Sequence, residues 1–230
     1  MHLAGKPVLE HVVERIQTCQ YINNIVVATS ADPSDDPIEE WCSQTTTAIY
    51  RGSLDDVLDR YVNAARMVKA DAVVRITADC PAIDPAIVDE IVRDFFAGDF
   101  DSYGLAGEFP DGLDCTVYSR EALEIACVEA KLLSEREHVG PYIEKHPEKF
   151  KTGGYYKFDG LGVGHHRWTL DEQKDYEFLS RLFALHRDTP DFGSQHIFDL
   201  LADHPELTSI NASIPRNEGY TLSLLADDVK

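Results

Sequence analysis

The stretch AVVRITADCPAIDP (residues 72–85) decides the fold. Its first half, AVVRIT, is a β-branched run that reads as a buried strand. Its second half sets Asp79, Pro81, Asp84 and Pro85 in quick succession, so the chain turns there. Asp79 therefore stands just past the carboxyl end of a strand, where open α/β sheets bind ligands. A carboxylate at that point has two readings. It holds a cation and a phosphate, or it bonds its own backbone in a turn.

Toward the N-terminus, LAGKPVLEHVVERIQ (3–17) puts Pro7 at a first helical position, with Val8, Leu9, Val12, Val13 and Ile16 at helical spacing. NNIVVATS (23–30) reads as a strand over 25–29, and Asp36 caps a helix that begins at Pro37. TTTAIYRGS (45–53) is a further strand; residues 55–69 form an amphipathic helix, and another helix runs over 85–96. Doubly apolar strands joined by helices imply a mostly parallel central sheet covered on both faces, an α/β fold. The second half is more mixed. FPDGLDCTVYSREAL (109–123) contains a turn, a short strand and a helix start. Ser134 and Glu137 have capping-box spacing, KTGGYYKF (151–158) and HHRWTL (165–170) read as strands, and residues 171–186 as an amphipathic helix. No composition break divides the chain, so a single domain over 1–230 is expected, with halves at about 1–98 and 99–230.

The formal net charge of −20 argues against nucleic acid as a partner, since no general basic surface is available to displace counterions. The acidity suits solubility or a salty environment, and a small anionic ligand would need a helix terminus, a backbone nest or a metal. No run of about 18 apolar residues and no charged-then-apolar leader occurs, so no membrane partner is expected. Five widely spaced cysteines without a CxxC pair fit a reducing cytoplasm better than a disulfide framework.

Asp171, in RWTLDEQKD, is the second acid that follows a strand-like stretch and precedes a helix; its simpler role is a helix N-cap. If Asp79 and Asp171 meet, two carboxylates suit Mg²⁺, which takes oxygen ligands and keeps waters and substrate phosphates. Arg51, Gly52 and Ser53 follow a strand and allow close backbone approach, or form an ordinary turn. Asp111, Gly112 and Asp114 make a turn able to present acceptors to a sugar. His165 and His166, adjacent on a strand, would face opposite sides, which excludes a shared zinc. GxSxG, GxGxxG and GxxxxGK[ST] are all missing, so neither a hydrolase elbow nor a standard dinucleotide site or P-loop is visible.

In order, LAGKPVLEHVVERI, IVVATS, YRGSLDDVLDRY, VRITADCPAIDP, FPDGLD, SEREHVGPYI, HHRWTLDEQKDYEFL and PRNEGY resemble the cytidylyltransferase family that includes spore coat polysaccharide biosynthesis protein F. Wider relatives activate acylneuraminate and ketodeoxyoctonate as CMP conjugates. The resemblance covers nearly the whole chain. It implies a three-layer, Rossmann-like nucleotide-diphospho-sugar transferase fold and a Mg²⁺-dependent nucleotidyl transfer. An oxygen of a sugar or sugar acid would attack the α-phosphate of CTP, and pyrophosphate would leave. It further implies Asp79 and Asp171 as catalytic metal ligands, and Arg51, Gly52, Ser53, Thr77 and Ala78, with Asp79, around the nucleotide. Asp111, Gly112, Asp114, Glu135, Arg136, His138 and Arg167 would take the sugar side.

Family members open with a further strand and a Gly-Ser-Thr-Arg-Leu-Pro-Gly-Lys type loop that cradles the triphosphate; this sequence passes from Met1-His2 directly into LAGKP. Three accounts stand open: a start codon placed too late, a shortened chain, or a short protein without activity. Two other functions remain in view. A glycosyltransferase would use an Asp-x-Asp pair after a strand, and Asp99-Phe100-Asp101 and the Asp188 to Asp191 region have the spacing without the strand. A non-catalytic scaffold would keep only the fold. The C-terminal PRNEGYTLSLL segment is a place for a second subunit of a homodimer to dock, or packs on its own domain.

Overall fold

The computed structural model describes residues 1–186, 192–216 and 218–227. A short hairpin, β1 (His2–Leu3) and β2 (Lys6–Pro7), leads into α1 (Val8–Ile16). Then come β3 (Val26–Ser30), α2 (Asp36–Thr45), β4 (Ala48–Gly52), α3 (Val57–Val68), β5 (Ala72–Arg75) and α4 (Pro85–Gly98). The second half runs β6 (Ser102–Leu105), β7 (Thr116–Ser119), α5 (Arg120–Glu129), α6 (Leu133–His138), α7 (Pro141–Lys145) and β8 (Thr152–Tyr155). It ends in α8 (Gln173–Leu185), α9 (Ser194–Asp203), α10 (Pro205–Thr208) and α11 (Glu218–Asp227).

Alternation along the strands builds the layers. Val73 and Tyr118 face an apolar cluster with Leu58 and Val62 of α3, Leu123 and Ala126 of α5 and Ile143 of α7. Their neighbours Val74 and Val117 face the opposite cluster, with Val12 and Ile16 of α1, Ile87 and Ile91 of α4, Leu179 and Leu182 of α8 and Ile197 of α9. Period-2 side chains on a strand thus feed two cores, and the sheet lies between two helical layers.

Strands β3 and β4 pair in parallel from Val26↔Ala48 to Ser30↔Gly52. A second sheet has the order β5-β7-β6-β8, in which β6–β8 is parallel but β5–β7 and β6–β7 are antiparallel. The α/β class stands, while this sheet is mixed where a mostly parallel one was expected. β7 follows β6 through a short non-helical connection, which permits only an antiparallel return. Residues 165–170 are not a strand. They contribute one isolated bridge, Asp111↔Arg167.

Capping differs in two places. Asp36 is the first residue of α2 rather than its cap, and its carboxylate accepts from Arg51 Nη2 at 2.8 Å. Residues 131–132 are capped by Glu135, whose Oε2 accepts from the N–H groups of Lys131 and Leu132 at 3.1 and 3.2 Å, and not by a Ser134–Glu137 box. Ser134 donates instead to Asp227 of α11, and Glu137 accepts from Ser223, so contacts distant in sequence claim both groups. Helix α11 accordingly packs on α6 of the same chain, with the rings of His138 and Tyr220 at 5.0 Å.

Candidate active site

The loop after β5 is held by its backbone. Cys80 N–H donates to Thr77 O at 3.3 Å and Ile83 N–H to Cys80 O at 3.1 Å. Asp84 caps α4 by accepting from Ala86 N–H at 3.0 Å, and the same carboxylate accepts from Ser194 N–H at 2.6 Å. The turn work expected of Asp79 thus falls to Asp84. The Asp79 carboxylate itself receives only the Cys80 thiol at 3.4 Å among its described partners.

The second loop is clamped by a buried arginine. Arg167 donates to Asp175 through Nε and Nη2 at 3.0 Å each, to Asp111 through Nη1 at 2.8 Å, and to Asp171 through Nη2 at 2.6 Å. Asp175 also accepts from the N–H groups of Asp171 and Glu172 and from Asn211 Nδ2. Against the cost of burial, these bonds hold Asp175 below the usual carboxylate range and Arg167 above its usual value. The first turn of α8 is therefore bonded by Asp175, and Asp171 is not its cap. Asp171 keeps a side chain 53% exposed beside Arg167.

The two loops meet. Leu170 N–H donates to the carbonyl of Asp79 at 2.9 Å, and Asp79 and Asp171 line one cleft of about 370 Å³ with Met1, Val8, Glu172 and Tyr176. Burial first, and then the charge of Asp79, push the Asp171 carboxyl above its ordinary value, while Arg167 opposes the rise. Two mutually repelling oxygen donors open to solvent fit a hard divalent cation such as Mg²⁺. Among the described residues no three His, Cys, Asp or Glu side chains converge as a metal cage. A cation at this pair would therefore complete its shell with water and substrate oxygens.

Asp111, Gly112 and Asp114 stand next to the clamp. Gly112 takes φ +98°, and its position is pressed against the backbone of Trp168 and Thr169. Burial first, then Asp114, push Asp111 up to about 6. Arg216 lies over the Phe109 ring at 4.1 Å and donates to Phe109 O, with Asp111 and Asp114 4.0 and 3.7 Å away.

Apart from Ala78, the remaining expected site residues lie outside the lining of this cleft. Arg51 is spent on Asp36, Glu39 and the carbonyls of Ser30 and Asp32; Gly52 packs near Arg60, and Ser53 O accepts from Arg60. Thr77 Oγ1 contacts the Cys80 thiol, while Ala78 reaches the cleft. Glu135 serves as a cap, Arg136 pairs with Asp56 and Cys127 O, and His138 meets Ser223. His165 and His166 sit in a turn with rings 4.1 Å apart, not on opposite strand faces. Asp99 ends α4 at φ +52° and Asp101 accepts from Ser119 and Lys151, so this pair supports the chain locally. Residues Asp188 and Asp191 lie outside the described residues.

Residues 1–201 match the family model for cytidylyltransferases. The chain belongs to the cytidylyltransferase family. An uncharacterised protein of Methanocaldococcus jannaschii, MJ1063, is 32% identical over 225 residues, which cover 96% of this chain and 89% of that one. Spore coat polysaccharide biosynthesis protein SpsF of Bacillus subtilis is 28% identical over 209 residues, covering 89% and 87%. The solved structure of a cytidylyltransferase from Leptospira borgpetersenii superposes with a TM-score of 0.84 at 28% identity, covering 90% and 88%.

In this member of the cytidylyltransferase family, sequence reasoning passed over Asp175, Asn211 and Arg216. Asp175 carried a local signal, since Glu172 and Asp175 have capping-box spacing. Asn211 carried none, because its role is a bond to Arg167 O at 2.9 Å across the fold.

Proposed function

We propose that this chain transfers CMP from CTP to an oxygen of a sugar or sugar acid that feeds polysaccharide or glycan synthesis. The observation that carries the reading is the shared cleft of Asp79 and Asp171, tied together by the Leu170 N–H bond to Asp79 O. Membership of the cytidylyltransferase family supports CTP as donor, and likeness to SpsF supports a polysaccharide precursor as acceptor.

In the reaction, the acceptor oxygen forms a bond to the α-phosphorus while the bond to the pyrophosphate oxygen breaks. Mg²⁺, held by Asp79 and Asp171 when bound, supplies positive charge against the phosphates. The chain's own part is positioning. Arg167 fixes the Asp171 carboxylate by a charge-assisted bond, and Asp175 fixes Arg167 from behind. Asp111 and Asp114 offer acceptors for acceptor-sugar hydroxyls beside the clamp, with Arg216 neutralising part of their charge. All five cysteines are free thiols, which suits a reducing compartment.

The test is pyrophosphate release from CTP and Mg²⁺ with a panel of sugars and sugar acids, run on this chain and on one extended upstream of Met1. No release from either folded protein with any acceptor would end the enzyme reading. Calorimetric titration with no CTP binding at all would select a non-catalytic scaffold.

A further inference from the structure

We infer that Arg75 selects the acceptor: its guanidinium seats an anionic group, a carboxylate or a phosphate ester, on the sugar that receives CMP. This selection rests on the transfer reading above, whereas the anion seat stands on geometry. Arg75 ends β5 and pairs with Thr116 of β7. Alternation sets it on the face of Val73, which packs against the apolar cluster of α3, α5 and α7. A guanidinium on that face has given up water and calls for a partner. Yet the Arg75 side chain has no hydrogen bond or ion pair among the described residues, and its Nε is sealed from solvent. Arg136 and Arg167, also withdrawn from solvent, are each gripped by an aspartate.

The surroundings leave the anion to a ligand. Asp114 and Glu144 both lie in electrostatic reach of Arg75, but neither forms an ion pair with it. Burial pushes the Glu144 carboxyl up, with Arg75 and then Lys145 opposing, and burial holds His138 below its ordinary value. The fixed charge of this seat is therefore Arg75. Tyr61 connects it to the reacting centre. The Tyr61 hydroxyl donates to Ile76 O at 3.4 Å and lies in electrostatic reach of both Arg75 and Asp79. Arg75, Tyr61 and Ala78 line one cavity, and Ala78 also lines the Asp79–Asp171 cleft. An acceptor held here meets the two acids with its attacking oxygen and Arg75 with its anion. The guanidinium fork matches a carboxylate or a phosphate with two parallel bonds. A neutral sugar leaves that fork unpaired and is rejected for that reason.

Nitrogen NMR of the Arg75 side chain tests the seat without CTP, so its outcome is separate from that of the enzyme reading. Acetate and inorganic phosphate are the probes, and acetamide is the uncharged control. At least one of the two anions should move the Arg75 Nε–H signal saturably, acetamide should leave it in place, and Arg75→Met should erase the signal and its response. Acetate alone would assign a carboxylate, phosphate alone a phosphate ester. No saturable shift with either anion, or an equal shift with acetamide, would overturn the seat. Arg75→Met should also hold or raise the melting temperature, because a buried cation without a partner costs stability. A fall of more than about 5 °C would show a structural role instead. In turnover, Arg75→Met should raise the KM of an anionic acceptor by about 100-fold or more and leave that of CTP within about twofold, with Arg75→Lys recovering part of the loss. A neutral sugar accepted with unchanged KM in both variants would overturn the selection.

Discussion

The backbone N–H of Leu170 donates to the carbonyl of Asp79 at 2.9 Å, and with the Thr169 hydroxyl donating to the same oxygen at 3.4 Å it ties two acid-bearing loops from distant parts of the chain beside a common cleft. Asp79 has no backbone N–H donor on its carboxylate among the described residues, and Asp171 is exposed beside Arg167. Asp79→Asn should therefore cut CTP turnover by about 100-fold or more while moving the melting temperature by no more than about 2 °C. Steady-state kinetics beside a thermal melt checks this. A large fall in melting temperature with intact turnover would return Asp79 to a turn role.

Asp175 is expected to behave in the opposite way. It is fully buried and accepts from Arg167, Asn211 and two backbone N–H groups. Asp175→Ala leaves Arg167 buried with a much weaker set of partners, at a cost of roughly 3–5 kcal/mol in urea unfolding. A cost under about 1 kcal/mol would mean that Arg167 is not clamped from behind.

Gly112 and Gly160 separate close packing from backbone strain. Both have positive φ, +98° and +74°, yet a Cβ at Gly112 would sit 2.6 Å from Thr169 N, whereas Gly160 has open space around it. Gly160→Ala should cost about 1 kcal/mol, the strain alone, and Gly112→Ala clearly more. Equal losses in chemical denaturation would show that the turn does not press on the Trp168–Thr169 backbone.

Acid sensitivity should trace in part to His186. It is 4% exposed, stacks on Phe192 at 4.2 Å, and neither ring nitrogen has a hydrogen-bond partner among the described residues. Burial first, then His196 and Arg15, push it down to about 4. A histidine whose folded value is depressed favours the native state above its unfolded value, near 6.5, and loses that contribution as pH falls through about 4. His186→Phe keeps the stack and removes the titration, so its stability should vary less between these limits, by roughly 2–3 kcal/mol. His166, also pushed down to about 4 by burial and His165, acts with the same sign, so the double variant should be flatter still. Unfolding free energies across a pH series decide the matter. An unchanged acid limb in both variants would place the sensitivity elsewhere.

Much of this protein was legible from residue order alone. Val57–Val68 and Pro85–Gly98 are helices where apolar spacing and Pro85 said they would be, and AVVR is a strand that ends before Asp79. Such features depend on neighbours a few positions away, so local spacing carries them. The same locality misled where a distant group offered a better partner. Ser134 had cap spacing but bonds Asp227, Asp171 had cap position but Asp175 does the bonding, and His165-His166 turn rather than extend.

By itself, then, the sequence determined the α/β class, the run of helices and strands through α4, and the two acids placed after β-like stretches. Only the tertiary structure decided that Arg167 gathers Asp111, Asp171 and Asp175, and that β7 runs against its neighbours. The physical reason is range. Periodicity records which way a side chain points from its own backbone, whereas ion pairs and strand edges depend on which remote segment the fold carries alongside.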